Sequence, residues 1–422
     1  MNAQAREHFK ASARSDKQLI KGKRFFMSIH IYTRRAAVSH LLTAATATAI
    51  GGSALRALAQ SAFGNPNQRY SGLGRYTATF QRKYRVPAMS AAISKNGRFV
   101  YDHAGGMADR QHLAQAQQGT LFRIADLSKP ITSVAIFSLS EAGRLSITDK
   151  IFGPTGVLGT RYGKPPYKPY VADITIDDLL THTAGGWAAD NHDPMMHNNG
   201  WSEAKLIAWT IENVPLASRP GTQWAYSNFG YCLLGRVIEQ LTGQSYETYV
   251  QANILAPCGI TGMQIANNSE RHRASSEVVY IGKYSEDPYK ININRMDSSD
   301  GWIASSTQLV QLLNHVAGAP NIPALLKPDT IRAMTTPVPA YPQGDARCAR
   351  GWMVSSNGAG SWWHSGSLPG STSLMVRNLD GICLAALCNT RTEPHHEMDT
   401  ALYEMMYDLA QNVPAPEVNG CV

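Results

Sequence analysis

The sequence predicts an α/β fold in which one antiparallel sheet, flanked by helices, is assembled from both ends of the chain around an inserted all-helical domain. Three observations predict it. Short apolar runs with strand patterning occur near the start of the body and again near its end. Helical spacing dominates the middle. A 422-residue chain with 43% hydrophobic and 17% charged residues also has the apolar material for a large globular core.

Taken in order, Ala88 to Ile93, a Lys95-Asn96-Gly97 turn and Arg98 to Tyr101 read as a β-hairpin, with Gly105-Gly106 closing the next strand. Near Asp126 the period changes, and Ile131, Val134, Ala135, Phe137 and Leu139 form an apolar helical surface. Helical periodicity recurs at Ile176 to Leu180, Glu203 to Val214, Tyr231 to Leu241 and Tyr246 to Leu255. Strand patterning returns at Gly351 to Ser355, Trp362 to Ser365, Ser371 to Arg377 and Ile382 to Cys388, before a last helix from Glu397 to Leu409. An α/β domain of residues 68–125 plus 303–415 and a helical domain of residues 126–302 follow. The cleft between them is the expected site.

Charge excludes one function class. The chain has 39 basic and 31 acidic residues, yet residues 1–59 hold ten of the former and two of the latter, leaving 29 of each in the rest. A neutral body lacks the basic surface that nucleic acid requires. The basic surplus flanks Thr33-Arg34-Arg35, a weakly apolar run from Leu41 to Ala54, and Ala57-Leu58-Ala59. Residues 27–59 therefore read as a twin-arginine export signal starting at Met27, behind an upstream extension of residues 1–26. This predicts cleavage near Gln60 and a periplasmic or extracellular body without stable membrane insertion, since a spanning helix needs roughly 20 apolar residues. A basic tail ahead of an uncleaved anchor is the alternative. The six cysteines show no C-x-x-C or zinc spacing, and Cys232, Cys383 and Cys388 inside apolar runs read as buried small hydrophobes. No metal or cofactor is expected.

Three stretches carry the chemistry. Trp224-Ala225-Tyr226-Ser227-Asn228 supplies a Tyr-x-Asn in a loop leading into a helix, His364-Ser365-Gly366-Ser367 a His-x-Gly at a strand end, and Leu180-Thr181-His182-Thr183-Ala184-Gly185-Gly186 a turn between helices. From about Val86 to Asn389 their order and separation resemble the serine β-lactamase-like family, in its class C β-lactamase, D-alanyl-D-alanine peptidase and esterase branch. The resemblance implies an antiparallel sheet with an α-helical domain and acyl transfer through a serine ester, without cofactor or metal. It also implies that the backbone N–H groups of Asp126 and Ser367 form the oxyanion hole, and that Asn228 bonds Lys129 or a substrate amide. The chain departs from the pattern at the nucleophile. Family members carry Ser-x-x-Lys, whereas Ala125-Asp126-Leu127-Ser128-Lys129 places Asp126 at the serine position. Ser128 is two helical residues further on and faces away from any cleft that Asp126 and Lys129 face.

Lys129 lies one turn after Asp126 and forms an ion pair that favours the ionised carboxylate. Tyr226 can donate to that carboxylate or pass a proton to a leaving group, and His364 can donate or accept near neutral pH. Three roles compete for Asp126: general base toward water at an ester or amide, base toward carbon in a lyase or isomerase, and nucleophile, the last suiting saturated carbon better. A catalytically inactive binder of peptides or cell wall is the fourth reading. Ser365, Gly366, Trp187, Trp201, Trp302 and Trp352 are candidate substrate contacts. The bland readings are a surface i,i+3 ion pair for Asp126–Lys129, packing for Tyr226 and the tryptophans, a satisfied structural histidine for His364, and a helix cap for Asn228. His182 reads as a structural turn residue. His192-Asp193 and His197 read as a polar, mobile flap rather than metal ligands. The expected function is an exported hydrolase acting on a small-molecule or peptide ester or amide.

Overall fold

The computed structural model describes residues 73–283, 286–342, 344–355 and 360–413. The export signal and the upstream extension lie outside these residues. The first described helix, α1 (Gly74–Tyr84), ends at Arg85 with φ of 53°. The expected hairpin follows as β1 (Ala88–Lys95) and β2 (Arg98–Asp109), with positive φ at Asn96 and Gly97 making its turn. Short strands β3 (Ala114–Gln115) and β4 (Phe122–Arg123) lead into a 3-10 turn, Ala125–Leu127, and then α2 (Ser128–Glu141).

The helical middle comprises α3 (Ile176–Leu180), α4 (Glu203–Asn213), α5 (Asn228–Thr242) and α6 (Tyr246–Val250). Strands β5 (Gln264–Ile265) and β6 (Trp302–Ala304) come next, followed by α7 (Ser306–Val316) and α8 (Pro328–Met334). The chain returns to the main sheet through β7 (Ala346–Cys348), β8 (Met353–Ser355), β9 (Trp362–Leu368), β10 (Ser371–Arg377) and β11 (Ile382–Cys388). It closes with α9 (His395–Gln411).

The main sheet has the order β3-β2-β1-β11-β10-β9-β8-β7, and its neighbouring strands pair antiparallel. Thus β11, from the C-terminal segment, pairs with β1, Met89 opposite Cys388, as expected of a sheet built from both ends. Alternation sorts its residues between two layers. Met89, Ala91, Ile93, Leu384 and Ala386 pack against α1 and α9, whereas Ala92, Ala385 and Leu387 join the larger core with α7 and α2. All seven residues of β11 are buried because both faces are covered. A second, three-stranded sheet joins β4, β6 and β5. Of the expected domain boundaries, residue 125 lies two positions after β4, in the 3-10 turn, and residue 302 is the first of β6.

No helix among the described residues is long and apolar enough to cross a membrane. The cysteines at 232, 258, 348, 383 and 388 are free and buried. Helix α2 is buried on nearly every side, which makes it the central helix. The sheet fastens its leading turn: Ser371 Oγ on β10 donates to the Arg123 carbonyl at 2.6 Å, and Ser373 Oγ to that of Ile124 at 2.7 Å.

Candidate active site

The 3-10 turn before α2 aims Asp126 at the end of β9. Gly366 makes this approach possible, because a β-carbon there would lie 2.7 Å from the Ile124 carbonyl oxygen and 2.9 Å from the Asp126 nitrogen. One residue on, the Ser367 N–H donates to Asp126 Oδ2 at 3.1 Å. The other carboxylate oxygen, Oδ1, accepts from Lys129 Nζ at 2.8 Å and from the Tyr226 hydroxyl at 2.8 Å. Asp126 keeps 17% of its side chain exposed, while that of Lys129 has none. Asp126 with Lys129, Tyr226 and Ser367 are therefore brought together from three segments of the chain.

The loop holding Tyr226 is pinned by His182, a residue with φ of 57°. Its carbonyl accepts the Ala225 N–H at 2.8 Å, its Nδ1 accepts the Ser227 N–H at 3.0 Å, and its ring lies 4.3 Å from that of Tyr226. Burial, with Lys129 nearby, lowers its pKa well below the usual imidazole range. His182 thus has the structural role the sequence suggests. Ser227, not Asn228, caps α5 by accepting the Gly230 N–H.

Burial opposes ionisation of Asp126, but the Lys129 ammonium and the hydrogen bonds from Lys129 and Tyr226 outweigh it and hold the carboxyl well below the usual carboxylate range. Burial also works against charge on Lys129, and Asp126 and Asp300 reverse that effect and raise its pKa. Tyr226 is raised well above the usual phenol value by burial and by Asp126, so it remains a donor.

Several expectations need correction. His364 is not a neutral-pH switch: burial pushes it down to about 4. Because its Nδ1 bonds the Ser365 carbonyl at 2.6 Å, that nitrogen carries the proton and Nε2 is left as an acceptor. A base whose pKa falls from about 6.5 to about 4 on folding contributes stability that is lost as pH drops through that window. The expected loss is up to about 3 kcal/mol between those pH values, and His364→Gln should flatten that part of the denaturation profile. The Ser367 N–H of the expected oxyanion hole is engaged by the Asp126 carboxylate itself. Asn228 Nδ2 donates to Asp193 Oδ2 at 2.7 Å, so its bond is to the loop between Trp187 and Trp201 and not to Lys129.

Of the tryptophans named as substrate contacts, Trp187, Trp302 and Trp352 belong to the core, whereas Trp201 is half-buried with its ring 5.7 Å from that of Trp209. Trp302 has no exposed surface, and its indole N–H bonds the Tyr246 hydroxyl at 3.0 Å. Trp187 is buried with its N–H on the Val214 carbonyl, and Trp352 is buried as well. The loop expected as a mobile flap is stitched down by Arg295, whose guanidinium bonds the carbonyls of Met195, His197, Asn198 and Trp201. His192 faces solvent, whereas Asp193 is buried. The Ser365 side chain is exposed beside the site. A Ser-x-x-Lys spacing does occur at Ser202–Lys205, but there the serine hydroxyl caps α4 by accepting the Lys205 backbone N–H.

Sequence reading missed Asp300. Its Oδ1 lies 3.2 Å from Lys129 Nζ, and burial pushes its pKa up to about 7. Nothing in its local sequence, Asp297-Ser298-Ser299-Asp300-Gly301, marks it, because its partner is 171 positions away.

Comparison with known proteins agrees with this architecture. The chain is 30% identical to esterase EstB of Burkholderia gladioli over 194 residues, 42% of this chain and 47% of that protein. It is 31% identical to penicillin-binding protein 4* of Bacillus subtilis over 179 residues, 41% and 37% of the two chains. The matches thus span under half of these curated relatives. The octameric penicillin-binding protein homologue from Pyrococcus abyssi superposes with a TM-score of 0.64 at 23% identity, covering 82% of this chain and 79% of that one. The family model described as Beta-lactamase matches residues 73–404, most of the chain, and the chain therefore belongs to the Beta-lactamase family.

Proposed function

We propose that the protein hydrolyses an ester or amide bond in a small-molecule or peptide substrate by direct attack of water, with Asp126 as general base where relatives use a serine. The observation that carries this reading is the convergence of Lys129, Tyr226 and the Ser367 N–H on one carboxylate. The esterase and penicillin-binding names of the relatives support an acyl substrate.

In the proposed reaction the substrate carbonyl oxygen takes over the Ser367 N–H, together with the backbone N–H of Asp126. Oδ2 then loses its donor and accepts a proton from water while the water oxygen bonds the carbonyl carbon. Collapse of the tetrahedral intermediate breaks the bond to the leaving alkoxide or amine. The leaving group receives the proton from Asp126 directly or through Tyr226, and no acyl-enzyme forms. Assay against p-nitrophenyl esters, short peptides and nitrocefin in oxygen-18 water should place the label in the acid product. A fluorophosphonate probe should leave the native protein unlabelled and label Asp126→Ser. Label on the native protein would make another serine the nucleophile and reject the base role.

A second reading, binding without turnover, is favoured by the low pKa of Asp126 and its occupation of the Ser367 N–H. It predicts ligand binding by calorimetry with no product. A carbon base in a lyase or isomerase would instead incorporate solvent deuterium into recovered substrate. The export reading of residues 27–59 accompanies the proposal and puts the body in the periplasm or outside the cell; N-terminal sequencing should find Gln60 or a near neighbour.

A further inference from the structure

One ammonium serves two carboxylates, that of Asp300 buried and that of Asp126 partly buried. Lys129 Nζ lies 2.8 Å from Asp126 Oδ1 and 3.2 Å from Asp300 Oδ1, and it also donates to the Ser299 carbonyl at 3.2 Å. The side chain of Asp300 is 1% exposed, and among the described residues its Oδ2 has no hydrogen-bond partner. The two carboxylates therefore compete for the same cation, and one oxygen of Asp300 is left bare.

We propose that Asp300 is a positioning residue that sets the basicity of Asp126 by competing with it for the Lys129 ammonium, so that the site gains basic strength when Asp300 loses its proton. This deepens the general-base reading and rests on it for its kinetic arm alone. While Asp300 is neutral, Lys129 turns its full charge on Asp126 and holds that carboxylate ionised but weakly basic. An ionised Asp300 shares the ammonium and adds a second negative charge to a dry cluster, which raises the proton affinity of Asp126. The bare Oδ2 points the same way, since an unpartnered oxygen costs more on a carboxylate than on a carboxylic acid. The charged and titratable groups facing Asp300 are Lys129 of α2, Asp126 of the 3-10 turn, Asp193 of the loop before α4, and Tyr226 of the loop before α5. Burial pushes Asp300 up to about 7, which brings the exchange into the ordinary range of assay.

The test uses the full chain labelled with carbon-13 aspartate, with infrared carboxyl bands followed against pH. Asp102 on β2 and Asp399 on α9 are also raised by burial, to about 6 and about 7, so Asp102→Asn and Asp399→Asn serve as assignment controls. A carboxyl titrating near 7 should survive in both controls and vanish in Asp300→Asn. The kcat/KM of the native protein should rise about tenfold from pH 6 to pH 8, stay flat in Asp300→Asn, and regain its slope in Asp300→Glu. Absence of such a band, or its persistence in Asp300→Asn, overturns the proposal. Should Asp300→Asn not fold, disappearance of the labelled band in Asp300→Glu carries the assignment and its persistence overturns it. The titrating band without turnover at any pH would reject the hydrolase reading and leave Asp300 assigned.

Discussion

Lys129→Met is expected to lower the unfolding free energy by about 3–5 kcal/mol at pH 8, the cost typical of removing one partner from a buried ion pair. Methionine fills the space of the lysine stem, so lost packing is a minor part of the effect. The larger part is that Asp126 and Asp300 lose the charge that pairs them. The stranded carboxylates respond by taking up protons, which limits the damage. Their folded pKa values then lie above the unfolded ones, so the native form binds more protons in that window and its stability falls as pH rises. The deficit should therefore be smaller at pH 5 than at pH 8, as urea denaturation at the two values can measure. A loss under about 1 kcal/mol, independent of pH, would mean that the Lys129 charge does not hold the cluster together.

Asp126→Asn is expected to reduce kcat by roughly 100- to 10,000-fold, the usual contribution of a positioned general base, with a much smaller change in KM. The amide has nearly the same shape and can still accept a bond through its oxygen, so binding should survive while proton transfer does not. Asparagine also brings an N–H₂ group into a region where Lys129 and Tyr226 already donate, which favours one orientation of the amide. Steady-state kinetics on any substrate found in the ester and peptide assays will measure the split. Turnover within about tenfold of the native rate would remove Asp126 from the chemistry.

Much of this molecule was legible in its sequence because the relevant patterns are local. The β1–β2 hairpin rests on a turn made by adjacent residues, and β9 to β11 and the helical middle on short-range periodicity. Tyr226 and His364 could be named because each sits in a recognisable tripeptide. Helix α7 carries a readable local sign in its sequence, since Ser305 and Gln308 form a capping box ahead of Leu309, Leu312, Leu313 and Val316. Helix α1 carried little, since Thr77 and Phe80 are its buried residues.

The tryptophans show where residue type misleads. An indole suits a ligand or a core equally well, and burial of Trp302 and Trp187 decided for the core. Asn228 belonged to a motif, yet its partner was set by Asp193, 35 positions away.

By itself the sequence determined the layered α/β architecture, the neutral body, and the presence of Asp126 and Lys129 one turn apart at the start of the central helix. Tertiary structure alone decided what that aspartate bonds to. Its bonds to Tyr226 and Ser367 and its share of the Lys129 charge join segments 100 to 241 positions apart, and a carboxylate's proton affinity depends on the burial and charges around it, which neighbouring residues in the chain do not set.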